Sequence, residues 1–190
     1  HICGPMKKLV IGISGSSGSI YAHRLIHKLE NLRPQWARIG IVISSNALIN
    51  WQIELNSAFN LPDGMELYQS GDFNAPFASG SARFETMIIC PCSMGTMSRV
   101  ATGISNDLMT RAADVMLKER RKLIIVPRET PLSLIHLRHM VSLTEGGAVI
   151  LPAVPSFYHR PDTIQAVVDT VVDRILDHAG FEADIQRWGD

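Results

Sequence analysis

The chain has 190 residues, 46% of them hydrophobic, enough to bury the core of one domain. Eighteen basic residues balance eighteen acidic ones, which gives no electrostatic ground for binding nucleic acid or an anionic membrane. No apolar run approaches the roughly 18 residues of a membrane span, and no signal-peptide pattern precedes the first strand, so a soluble, cytoplasmic protein is expected.

His1-Ile-Cys-Gly-Pro5, ahead of Met6, reads as a cloning remnant, with residues 6–190 as a single domain. The first apolar β-type run covers 9–13. After it comes Ser14-Gly15-Ser16-Ser17-Gly18-Ser19, a turn of small residues entering a helix expected over 19–32. Such a turn lets backbone amides and hydroxyls approach a phosphate at the positive end of a helix. The third glycine of Gly-x-Gly-x-x-Gly and the lysine of a P-loop are missing, so the NAD and ATP signatures are unmet. A phosphate held without metal, as in a flavin mononucleotide, fits better; a tight capped strand-to-helix turn is the alternative. A second run at 39–44 ends on Ser44-Ser45 and leads to a helix over 47–56. Segment 61–83 then breaks the rhythm, rich in Gly, Pro, Ser and Asn, with only 66–68 strand-like. Its tip, Asn74 to Ser81, reads as a lid, an interface arm or a mobile surface loop.

The next run, 87–91, enters Cys90-Pro-Cys92-Ser93-Met94-Gly95-Thr96, followed by helices over 95–101 and 107–120. The Cys-x-Cys spacing suits neither a redox pair nor zinc, so both thiols are expected to be buried and structural. Small hydroxyl residues thus follow three strands at one edge, a polar rim suited to a flavin's phosphate, ribityl chain and ring edge, although any one serine also serves as a helix cap. Arg111 and Lys118, seven residues apart with Asp114 between, share one side of their helix. The run 122–127 ends at Arg128-Glu129, where open α/β sheets bind ligands, so three cations and a carboxylate are expected to converge on an anion. His136 and His139, on a helix over 132–144, lack the companions of a zinc site and read as helix-face residues. The last run, 148–151, leads to Phe157-Tyr158-His159-Arg160, again at the ligand edge. Arg174, on a helix over 163–178, is either a further cation for the site or a solvated residue beside Asp173 or Asp177. The alternation of strands and helices gives the fold class: α/β, a three-layer doubly wound parallel sheet, Rossmann-like or flavodoxin-like.

Seven segments stand in the order of a known family. They are Gly12-Ile-Ser-Gly-Ser-Ser-Gly18, Ala78-Ser-Gly-Ser81, Cys90-Pro-Cys-Ser93, Arg111-Ala-Ala-Asp-Val115 with Leu117-Lys-Glu-Arg-Arg121, Val126-Pro-Arg-Glu-Thr-Pro131, Gly147-Ala-Val-Ile-Leu-Pro152 and Phe157-Tyr-His-Arg-Pro161. From Met6 to about Asp190 the chain resembles the flavin prenyltransferases of the UbiX type. The resemblance implies that reduced FMN is alkylated by dimethylallyl monophosphate, at N5 and then C6, to give prenylated FMN for a UbiD-type decarboxylase. It implies FMN contacts at Gly15, Ser16, Ser17, Ser44, Ser93, Met94, Gly95, Thr96 and Arg128. It implies a prenyl-phosphate clamp of Lys118, Tyr158 and Arg174 with Ser79 nearby, and proton handling by Glu129 and Glu54. Phe73, where close relatives carry Trp, and Trp188 in the tail are the aromatic wall. The absence of an Asp-Asp-x-x-Asp motif agrees with a metal-free monophosphate donor. Dodecamers with sites shared between subunits are implied as well. Two rivals share the cofactor: a cysteine decarboxylase of the phosphopantothenoylcysteine type, whose Pro-Ala-Ser-Ala-Asn motif is replaced here by Pro91-Cys-Ser-Met-Gly95, and a flavodoxin-like electron carrier.

Overall fold

The computed structural model describes residues 6–183. Six strands, β1 (Lys7–Ile13), β2 (Trp36–Ile43), β3 (Met65–Tyr68), β4 (Thr86–Cys92), β5 (Lys122–Pro127) and β6 (Val149–Ile150), form one sheet in the order β3-β2-β1-β4-β5-β6. Every neighbouring pair is parallel. Parallel strands need crossovers, and the helices that supply them cover both faces, which is why the strands read as continuous apolar runs. Successive residues still part company: Leu9, Ile11 and Ile13 join α1 (Ser19–Asn31), α2 (Ser45–Leu55) and α6 (Ile164–His178) in one core. Val10, Met87 and Ile89 join α3 (Met94–Ala101), α4 (Leu108–Lys118) and α5 (Leu134–Glu145) in the other.

α6 shows why these helices form. Thr163 caps it by accepting from the Ala166 amide at 3.1 Å, Val168, Val171, Val172, Ile175 and Leu176 are buried along one stripe, and Gly180 follows with φ +76. Arg24 on α1 meets Asp169 of α6 through two hydrogen bonds of 2.8 and 2.7 Å, and Lys28 pairs with Asp173 one turn on.

The expected lid or mobile loop is an anchored strap. Its strand-like part is β3, and residues 76–82 form two short 3-10 turns. Phe77 and Phe84 are fully buried, and a Cβ on Gly40 would lie 2.5 Å from the Phe77 ring, so β2 carries glycine where the ring lands. Arg111 Nε donates to Ala78 O at 3.1 Å, and Arg121 donates to Gly80 O at 2.6 Å and Phe84 O at 3.2 Å. Among the described residues no helix is long and apolar enough to cross a membrane.

Candidate active site

The strand order reverses between β1 and β4, so the loops after these strands depart to opposite faces and leave a crevice at the carboxyl edge. The β1–α1 turn forms one lip. Gly15 sits tightly under α2: Asn50 Nδ2 donates to its carbonyl at 3.1 Å, and a Cβ there would lie 2.7 Å from Asn46 Cβ. Gly18 has φ +119, a backbone that disfavours side chains, and its open side faces the Tyr21 ring. Ser16 Oγ is buried with no hydrogen-bond partner, the kind of orphaned polar atom a ligand oxygen satisfies.

The positive end of α1, the expected phosphate seat, is taken by an internal anion. The Glu54 carboxylate accepts from the Gly18 amide at 2.9 Å and the Ser19 amide at 2.7 Å. Burial pushes its carboxyl up, but those amides and the Ser17 and Ser19 hydroxyls outweigh that and hold it below the usual value of 4.5. Any phosphate bound at this lip must therefore use Ser16 and Ser17 rather than the first amides of α1. Glu54 reaches the turn from α2, 36 residues away, so helix periodicity gave no sign of it.

The second lip is the β4–α3 loop. Ser93 caps α3, accepting from the Thr96 amide at 3.2 Å, and its hydroxyl donates to Thr96 Oγ1 at 3.1 Å. Met94 and Thr96 are buried, while a Cβ on Gly95 would meet nothing within 4 Å, so the first turn of α3 opens onto free space. Ser44 caps α2 in the same way, accepting from Ala47 N at 3.1 Å. The serines of the rim are thus helix caps and site walls together. Ser14 is a residue the sequence reading passed over: its buried hydroxyl donates to Pro91 O at 3.0 Å and accepts from Ser93 N at 2.7 Å, tying lip to lip.

Arg128 crosses the crevice from the end of β5, with Nε donating to Ser17 O at 2.9 Å. Its neighbour Glu129 is exposed and accepts from the Thr130 amide at 3.0 Å. Tyr158 stands on the exposed loop after β6. Cys90 and Cys92 are buried beneath, and burial pushes both thiols up, Cys92 to about 12, so they are neutral packing groups as expected. Among the described residues no three His, Cys, Asp or Glu side chains are grouped to hold a metal.

The expected convergence of cations does not occur within one chain. α4 runs back from the carboxyl edge, so Lys118 in its last turn lies near the start of β5, and that strand separates it from Arg128 by about 17 Å. Seven helical residues also span about 10 Å, enough for each cation to take its own partner. Arg111 pairs with Asp114 at 2.8 Å, and Lys118 pairs with Glu119 at 2.6 Å. Glu119 packs on Gly80, which brings Lys118 into the neighbourhood of Ser79. Arg174 pairs with Asp177 at 2.7 Å, one turn before His178, whose carbonyl accepts from Lys122. Lys118 and Arg174 therefore stand toward the amino edge, while Arg128, Glu129 and Tyr158 stand at the carboxyl edge. Phe73 is half exposed on the strap, and Trp188 lies outside the described residues. The clefts beside Ile164 and Val167, about 300 Å³, and beside His23 and His27, about 230 Å³, lie off the rim.

A switch-point crevice rimmed by hydroxyls and amides and crossed by one arginine is the site of a nucleotide-binding doubly wound protein, and the Flavoprotein family model matches residues 3–176. The Flavin prenyltransferase UbiX of Thermoplasma acidophilum is 45% identical, over 95% of this chain and 99% of its own length. The chain belongs to the UbiX flavin prenyltransferase family. The solved AnUbiX structure, in complex with FMN and dimethylallyl pyrophosphate, is 36% identical with a TM-score of 0.88, covering 97% of this chain and 98% of that one. A dodecameric FMN-dependent UbiX-like decarboxylase from Escherichia coli O157:H7 is 37% identical with a TM-score of 0.88, covering 96% of this chain and all of that one.

Proposed function

We propose that the protein is a metal-independent, cytoplasmic flavin prenyltransferase that joins the dimethylallyl group of dimethylallyl monophosphate to N5 and C6 of reduced FMN. Its product, prenylated FMN, passes to a UbiD-type decarboxylase. The observation that carries this reading is the buried Ser16 Oγ, which has no hydrogen-bond partner, on the β1–α1 lip, together with the open space at Gly95 on the β4–α3 lip. Ser16, Ser17, Ser44 and the Ser93–Thr96 turn would hold the FMN phosphate and chain, with Arg128 as a further contact to the flavin. Bound reduced FMN supplies the nucleophilic nitrogen and ring carbon.

The chain's own residues manage charge and protons. Breaking the allylic C–O bond places negative charge on the departing phosphate and positive charge on the prenyl unit. Lys118, Arg174 and Tyr158 neutralise the first, with Ser79 and Arg111 beside them, and Phe73 or Trp188 offers a π face to the second. Glu129 accepts the ring proton at its exposed carboxylate. Four donors stabilise the charge of Glu54, so it fixes the β1–α1 turn. Since Lys118 and Arg174 lie toward the edge opposite Arg128 and Tyr158, the complete site is shared between copies in a dodecamer. At FMN and prenyl phosphate concentrations well below saturation, mixed oligomers of Lys118→Ala and Arg128→Ala chains should be more active than either variant alone, and failure to complement would overturn the shared site.

Anaerobic incubation with reduced FMN and dimethylallyl monophosphate, followed by mass spectrometry of the extracted flavin, tests the reaction. A gain of one C5 unit is expected. FMN recovered unchanged would return the cysteine-decarboxylase and electron-carrier readings.

A further inference from the structure

The two lips of the crevice face a mechanical difficulty. β1 and β4 pair in register only as far as Gly12 opposite Ile89, and the β4–β5 ladder slips between Ile89 and Cys92. On its other side β1 continues, with Ile13 opposite Ile43 and Ser44 N donating to Ile13 O at 3.0 Å. The ladder therefore stops short on the side where the ligand is to lie. Pro91 stands in that gap without an N–H to offer, so its backbone can accept a bond from β1 but cannot return one.

Ser14 spans it. Its amide donates to Pro91 O at 3.2 Å, its hydroxyl donates to the same carbonyl at 3.0 Å, and that hydroxyl accepts from Ser93 N at 2.7 Å. Only a group that donates and accepts at one atom closes both bonds, and Ser14 is 2% exposed, so water does not compete. From Ser93 the connection continues through its hydroxyl to Thr96.

We infer that Ser14 is a positioning residue for the flavin, a side-chain rung that sets the distance between the Ser16–Ser17 lip and the Ser93–Thr96 lip. It touches neither substrate. The inference rests on the flavin reading above, and it adds that the two halves of the phosphate seat act as one because this hydroxyl joins them.

Ser14→Ala leaves the Ser93 amide without its partner and lets the lips move independently. FMN titration by flavin fluorescence should show affinity about tenfold weaker for Ser14→Ala, with the Ser14→Thr variant within about twofold of the parent because it restores the hydroxyl. At saturating FMN, the KM for dimethylallyl monophosphate should stay unchanged. An unchanged FMN affinity in Ser14→Ala, with or without a lower melting temperature, would overturn the inference, as would a Ser14→Thr variant as weak as Ser14→Ala. Should Ser14→Ala not fold, hydrogen exchange at the Ser93 amide of the parent protein decides: slow exchange that slows further with FMN supports the rung, and fast exchange rejects it. Absence of FMN binding by the parent protein would reject the flavin reading itself, before any variant is compared.

Discussion

At the carboxyl edge, Ser14, Ser44 and Ser93 turn their hydroxyls onto the backbone and stiffen two lips, while Ser16 Oγ and the space by Gly95 stay unfilled. Toward the amino edge the polar groups close on one another: Lys118 on Glu119, Arg121 on two carbonyls of the strap, Arg174 on Asp177. The first region is arranged around something still to arrive. The second is satisfied alone, and its cations must trade partners before they meet an anion. On the proposed reading, the cofactor seat is built within one chain while the anion clamp waits on a neighbour.

The strongest way to break this contrast is to remove what holds the strap. Phe77→Ala should cost about 3–5 kcal/mol, because a fully buried aromatic leaves a cavity against Gly40. Chemical denaturation measures the loss, and limited proteolysis should begin within 74–84. Next comes Arg128→Ala, which takes away the bar across the crevice: FMN affinity should fall at least tenfold while the melting temperature of the FMN-free protein stays within a few degrees.

Lys118→Ala should do the opposite, leaving FMN affinity as it is and raising the KM for the prenyl phosphate about tenfold in steady-state kinetics. If it weakened FMN binding equally, the two edges would not be functionally distinct. The smallest effect belongs to Glu54→Gln, about 0.5 kcal/mol in urea denaturation, the low end for a cap because the carboxylate is exposed. Glu54 titrates lower in the folded chain than its ordinary 4.5, so its contribution is complete above that pH and disappears as pH falls through the folded value. The gap between parent and variant should therefore be constant near neutrality and close in acid.

Elements were legible in the sequence to within a few residues because strands buried on both faces write unbroken apolar runs, and turns of Gly and Ser separate them. Even four-residue β3 left its trace at 66–68. The strap was not legible: its order comes from Phe77 seated on Gly40 and from arginines reaching backbone carbonyls 33 and 41 residues away. The rim was visible as hydroxyl residues following strands, yet the Ser14–Ser93 bond spans 79 positions and carries no periodic signal. Arg111 and Lys118 misled because sharing a helix side says nothing of the direction in which that helix runs. The resemblance to a family suggested roles that spacing did not.

Cys90 and Cys92 lie under the floor of a crevice where, on the proposed reaction, an allylic electrophile is released beside an electron-rich ring. A thiolate there would compete for the prenyl carbon and be consumed by it. Full burial keeps both sulfurs protonated and out of reach, so on that reading the flavin is the nucleophile left to take the prenyl carbon, and alkylating reagents should leave Cys90 and Cys92 of the folded enzyme unmarked.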